Sequence, residues 1–261
     1  AYSNHKQEAY YGFRSYEIDQ ESFYANLLFN SIIGNTKNKF KAGLNFSFDQ
    51  YLETVDTFFF DRTDRSVGSF FEYSYDNLEN FSFVGGARVD IHNRLGTFVT
   101  PRLHLRYLPQ EKTIVRASIG SGRKAANIFA ENQTLFGTNR LISIQQNGGS
   151  IYGLNPEIAW NYGVSVRQIF ALWGGDGDIT VDYYITNFTD QVVVDWEKQG
   201  EISFYNLEGK SRANSFQLAI DYNPIKAISV RFAYKNYDVK TAYKSSFLQR
   251  PLQAQNRFFG N

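Results

Sequence analysis

The feature that most limits how this chain can fold is a two-residue alternation kept up over long segments. Between Lys39 and Tyr51 it reads KFKAGLNFSFDQY. Phe40, Ala42, Leu44, Phe46 and Phe48 share one parity, and Lys39, Lys41, Gly43, Asn45, Ser47 and Asp49 the other. In a strand, alternate residues point to opposite faces, so one face is apolar and the other polar. Two environments satisfy that pattern. The apolar face packs on a protein core with the polar face in water, or it meets lipid with the polar face lining a lumen.

Ten segments read as extended: Glu21–Ile33, Lys39–Tyr51, Val67–Tyr75, Phe81–His92, Thr97–Tyr107, Thr113–Arg123, Glu157–Phe170, Asp178–Phe188, Ser211–Tyr222 and Lys226–Lys240. β-branched and aromatic residues dominate them, and a helical period fits only a turn near Ala125–Glu131. Most run to ten residues or more. Globular strands average about five or six residues, whereas tilted membrane strands need about 9–11.

The connections point the same way. Short turns such as GNTKN, DNLEN and LPQEK follow the odd-numbered segments, and longer loops follow most even ones, at Leu52–Ser66, Lys124–Pro156 and Thr189–Lys210. Asn93–Gly96 is the short exception. Tight turns at one end and long loops at the other are the layout of an up-and-down transmembrane barrel. Tyr51, Tyr73, Tyr75, Phe81, Tyr107, Phe170, Trp173, Tyr222 and Tyr237 gather near strand ends, where amphipathic rings meet a membrane interface. The competing reading is a soluble β-sandwich that binds a ligand. The barrel reading expects Leu44→Arg to be far more harmful than Asn45→Arg.

Composition removes other classes. No cysteine is present, which excludes disulfides, thiolate metal sites and a cysteine nucleophile. The net charge of +1 gives no field for nucleic acid. His5, His92 and His104 have no metal-ligand spacing, and GSG around Ser121 lacks the spacing of a phosphate loop. No Ser/His/Asp constellation assembles, so no catalytic residue, metal or cofactor is expected, and a membrane hydrolase barrel is the weakest reading. No run approaches the roughly 18 apolar residues of a membrane helix, and the opening residues do not read as a signal peptide.

Three stretches carry a family resemblance: RLGTFVTPRLHLRYLP (Arg94–Pro109), RASIGSGRKAANIFAEN (Arg116–Asn132) and GLNPEIAWNYGVSV (Gly153–Val166). In this order they resemble the barrel of TonB-dependent outer-membrane receptors, particularly the Bacteroidota type, over about Glu21 to Asn261. The resemblance implies an all-β, antiparallel, 22-stranded transmembrane barrel in the outer membrane. It further implies an N-terminal plug whose short box contacts TonB. About ten strands are read here, with no plug before Ala1 and QAQNRFFGN where the family continues, so residues 1–261 are expected to be an internal part of the barrel. Alone, such a part should aggregate, associate edge to edge or close into a smaller barrel. GSGRK departs from relatives, which usually carry an aromatic before the Arg.

The implied function is uptake of a scarce nutrient, namely a ferric siderophore, cobalamin, haem or a glycan. The implied partners are membrane lipid, the TonB complex through the plug, and a small-molecule or metal-chelate substrate. Candidate ligand contacts are Phe58, Phe59, Phe60, Asp61 and Arg62, read as loop residues. Arg88, Arg102, His104, Arg106, Arg116 and Arg123 are expected on the lumen face, with Arg167, Arg231, Asp90 and Asp182.

Overall fold

In the computed structural model, which describes residues 1–250 and 253–261, sixteen strands form two sheets. The first seven are β1 (Tyr2–Tyr11), β2 (Arg14–Ile32), β3 (Asn38–Val55), β4 (Phe58–Asp76), β5 (Phe81–His92), β6 (Gly96–Gln110) and β7 (Thr113–Lys124). A 3-10 helix, Ala130–Gly137, precedes β8 (Leu141–Ile144), β9 (Glu157–Leu172), β10 (Gly175–Asp190), β11 (Val192–Asp195) and β12 (Glu201–Asn206). The chain then runs through β13 (Ser211–Ile225), β14 (Ile228–Ala242), β15 (Phe247–Gln249) and β16 (Asn256–Gly260).

Thirteen strands make one antiparallel meander, in the order β1-β2-β3-β4-β5-β6-β7-β9-β10-β13-β14-β15, with β16 also on β14. Its two edges are not hydrogen-bonded to each other among the described residues. β11, β12 and β8 form a separate three-stranded sheet in which β12 and β8 run parallel.

The polarity of the large sheet is inverted relative to a soluble protein. Leu44 is 55% exposed and Val67 53%, while Asn45 is 5% exposed and Asp90 4%. The register makes this a property of whole rows. Leu44 pairs with Leu27 and Ser69, Val89 with Ser69 and Val99, and Val166 with Val115 and Val181, all on the exposed face. Lys41, Asn45, Glu72, Arg88 and Asp90 share the other face. A soluble sandwich would bury the first set, because burying apolar area is what holds its sheets together. Here that set forms a belt suited to hydrocarbon. Tyr73 packs at a tilt against Phe83, and Phe170 stacks on Tyr222, along its tight-turn end. Tyr51 and Tyr237, expected in such a girdle, lie on the polar face instead, in register with Arg62 and Ser215.

The sheet is curled. Gln133, on the loop after β7, accepts a hydrogen bond from the Tyr11 hydroxyl on β1 at 3.1 Å. Its neighbour Asn132 lines a cavity with Val239 and Thr241 of β14. In a flat sheet those strands lie some ten spacings of about 4.8 Å apart. The loop therefore crosses the mouth of a trough.

Two expectations are corrected. Leu52–Ser66 is not a loop. β3 and β4 run on to pair Val55 with Phe58, leaving a two-residue turn, Asp56–Thr57, with Asp56 at φ 52°. Likewise Ala1–Gln20, which shows no apolar alternation, forms β1 and the start of β2. These extensions carry polar residues on both faces, since they stand beyond the belt. β2, β3 and β4 reach 18 or 19 residues, about eight more than a membrane crossing needs. At about 3.3 Å per residue they project on the order of 25 Å past it.

Candidate functional site

The projecting strand ends and the two long connections, 125–156 and 191–210, enclose the only sizeable hydrophobic core among the described residues. It is built from Tyr16, Val55, Ile128, Phe129, Leu135, Phe136, Ile151, Tyr152, Leu154, Val192, Ile202 and Phe204. The long connections are therefore folded onto the inner face of β2–β4.

At the centre is Glu53, 2% exposed, on the inner row of β3. It accepts a hydrogen bond from the Tyr16 hydroxyl at 3.1 Å and from the Tyr152 hydroxyl at 2.5 Å. A buried carboxylate is tolerable only with such partners. Burial, reinforced by the Glu53 charge, pushes the Tyr152 phenol above its ordinary value, so it stays a donor. Tyr152 also holds a left-handed backbone, φ 55°, which is uncommon for a bulky residue. Its ring is fixed edge-on to Phe60 at 4.8 Å and to Phe129 at 5.6 Å.

Beside it the Arg62 guanidinium lies over the rings of Tyr51, at 4.3 Å, and Tyr152, at 5.3 Å. It donates to Asn127 at 2.5 Å, and its Nε is 3.1 Å from Asp64. Asp64 is also 3.1 Å from Arg94 Nε. The result is a chain of charges, Arg62–Asp64–Arg94, leading from the inner wall to the turn between β5 and β6. Next to it is a cavity of about 250 Å³ lined by Tyr51, Glu53, Phe60, Asp61, Arg62, Arg94, Gln146, Ser150, Tyr152 and Gly153. Aromatic walls with a few convergent polar groups are the usual makeup of a small-molecule site.

Of the residues expected to meet a ligand, Phe60, Asp61 and Arg62 line this cavity. Phe58 stacks on Phe60 and packs against Phe129. Phe59 has the opposite parity and points outward, 66% exposed. Sequence reasoning missed Tyr16, Glu53, Asp64, Arg94 and Tyr152. The parity running Tyr51, Glu53, Val55 was a usable signal for Glu53 once β3 is extended. Nothing local marks Tyr152.

The inner row expected from the sequence is largely present. Arg88 clamps Asp90 at 2.6–2.9 Å, and Arg102 and Lys41 share Glu72. Arg167 pairs with Asp178, and Arg231 with Asp221. His104 opposes Ser118, and Arg106 directly opposes Arg116. Arg123 is the exception. It opposes Ile158, in the outward row with Ile119 and Tyr162. Seven residues separate it from Arg116, and an odd separation changes face in an unbroken strand. Its guanidinium turns back to the Leu95 carbonyl, at 3.3 Å, and over the Phe98 ring.

Across residues 1–261 the chain matches the family described as TonB dependent receptor-like, beta-barrel. No curated protein matches it by sequence. Among solved structures it resembles the copper transporter OprC, at 11% identity and a TM-score of 0.68, over 93% of this chain and 44% of that one. The FrpB iron transporter from Neisseria meningitidis gives 15%, 0.61, 90% and 38%. The Serratia marcescens hemophore receptor HasR gives 13%, 0.63, 92% and 47%. These likenesses show a shared fold, and the chain spans about half or less of each of these proteins.

Proposed function

This chain belongs to the β-barrel family of TonB-dependent receptors, and from that membership we propose that its parent protein captures a scarce nutrient at the cell surface and passes it inward. The family resides in the outer membrane, and its members are transporters rather than enzymes. The substrate class we infer is a small molecule or metal chelate: a ferric siderophore, haem, cobalamin or a glycan. Structural relatives described as iron and copper transporters and as a hemophore receptor support the class without choosing within it.

The observation that carries the reading is the inversion of the sheet, with Leu44 and Val67 exposed and Asn45 and Asp90 buried. Such a sheet turns its apolar belt to lipid and keeps a polar lumen. In this proposal the aromatic cavity at the mouth receives the ligand, with Phe60, Asp61 and Arg62 among its contacts and Phe58 behind them. Arg88, Arg102, His104, Arg106 and Arg116 line the passage. A plug domain in that lumen, coupled to TonB, supplies the gating and the energy, and the residues 1–261 form part of the surrounding wall.

Uptake by a deletion strain tests this. Loss of uptake of one of the four ligand classes, restored by the intact gene and weakened about tenfold or more by Phe60→Ala, is the expected result. Undiminished uptake of all four would overturn it.

A further inference from the structure

Several reversing turns in this chain are held by one side chain that accepts backbone N–H groups just downstream. Asn35 Oδ1 accepts from Lys37 N at 3.0 Å. Asn77 Oδ1 accepts from Glu79, Asn80 and Phe81 N at 2.9–3.0 Å. Between β5 and β6 the acceptor is an imidazole instead. His92 Nδ1 receives Arg94 N at 3.1 Å and Leu95 N at 3.3 Å. An amide oxygen accepts at any ordinary pH. An imidazole Nδ1 accepts only while neutral and protonated on Nε2, and an unperturbed histidine titrates near pH ~6.5.

The same turn moors the loop that covers the mouth cavity. Arg94 Nη1 donates to the Ser150 carbonyl at 3.0 Å, and the Ser150 hydroxyl donates to the Arg94 carbonyl at 2.6 Å. Arg94 Nε donates to the Thr63 carbonyl at 3.1 Å and pairs with Asp64. Arg94, Ser150 and Tyr152 all line the cavity.

We propose that His92 is an acid-sensitive latch for the loop tip 146–150, which opens the mouth cavity when the imidazole takes up a proton. Protonation puts a hydrogen where two N–H groups now donate, so the turn loses its acceptor and Arg94 its fixed backbone. The charged groups facing His92 are Asp64 and Arg62 of β4, Asp90 of β5 and Arg94 of the turn itself. Burial holds the imidazole below its ordinary value; Asp64 and Asp90 favour its charged form, and Arg62 and Arg94 oppose it. Asp64 also holds Arg62 and Arg94, so a charged ring drawn to it competes with Arg94 and loosens the mooring further. The strand ends stay zipped, because Asn93 accepts from Arg65 N at 2.9 Å and donates to the Thr63 carbonyl at 2.9 Å, and neither bond titrates. The tip then pivots on Tyr152, whose bond to Glu53 is untouched. The latch does not depend on which ligand, if any, the cavity takes.

This chain has no cysteine, so in the full-length receptor, with any cysteine outside it replaced by serine, spin labels are placed by Asn147→Cys on the loop tip and Leu52→Cys on the outward row of β3. Electron–electron distances are read at about pH 7.5 and about pH 5. One short-distance population is expected at the higher pH, with a longer one added at the lower. His92→Asn keeps a non-titrating acceptor and should hold the short distance at both, and His92→Leu should show the longer population at both. Acid opening in His92→Asn equal to that of the parent, or no acid response in the parent, would overturn the latch.

Discussion

The hydroxyl of Tyr152 donates to Glu53 at 2.5 Å across 99 residues of sequence, joining the longest loop to the inner wall of β3. That bond ties a connection to a strand and fixes where the mouth cavity lies. A hydrogen bond to a charged group contributes about 1.5–3 kcal/mol. Tyr152→Phe should therefore lower the local opening energy of residues 125–156 by about that much. Amide exchange in that segment measures it, and the exchange of β9 and β10 should not move.

The three phenylalanines of β4 should separate by parity. Phe60→Ala removes a ring held against Phe129 and Tyr152 and should destabilise the mouth lobe by about 3 kcal/mol. Phe59→Ala removes an outward ring and should stay within about 0.5 kcal/mol of the parent. Denaturant titration followed by tryptophan fluorescence gives both values, and equal effects would contradict the register.

For the membrane belt the informative comparison differs from the one read off the sequence. Leu44→Arg should cost about 2–4 kcal/mol in bilayer-folded protein. Asn45→Arg is not the benign control that alternation suggests. Asn45 is buried, and Gly68 opposite it leaves room only for the side chains of Asn45, Asp90 and Arg88. A second guanidinium beside Arg88 should be costly as well. Ser82→Glu, in register with Arg106 on one side and Asp76 on the other, is the control expected to stay near neutral in the same refolding assay.

Glycines on the inner row should answer to local space rather than to strand propensity. A Cβ on Gly43 would clash with the Phe70 ring and come within 2.7 Å of the Leu27 carbonyl. Gly43→Ala should therefore destabilise by about 1–3 kcal/mol, the usual range for overpacking. Gly122 has nothing within 4 Å of its missing Cβ, and Gly122→Ala should be neutral or slightly favourable. Paired thermal melts in detergent would show the difference.

The sequence alone determined the class of fold and the environment it needs. Segments such as Lys39–Tyr51 alternate too regularly for helices and run too long for ordinary globular strands, and their polar parity is too charged for a second core. Meander order follows from the tight turns, and the family was legible in three stretches between Arg94 and Val166. Alternation stops being readable beyond the belt, where polar residues such as Glu53 and Arg62 share the inner row with Val55 and Phe60 and the outward row gains Phe59, so β1 and the upper halves of β2–β4 carry no clean strand signal. Arg123 lies on the outward row and not on the lumen face expected for it, as its odd spacing from Arg116 in an unbroken strand requires. The mouth site was decided only by tertiary structure. Glu53, Arg62, Arg94 and Tyr152 come from three separate strand or turn positions and an aperiodic loop, and packing over long sequence separations brings them together. Periodicity reports which face a residue occupies. It carries no information about which distant loop will fold down onto that face.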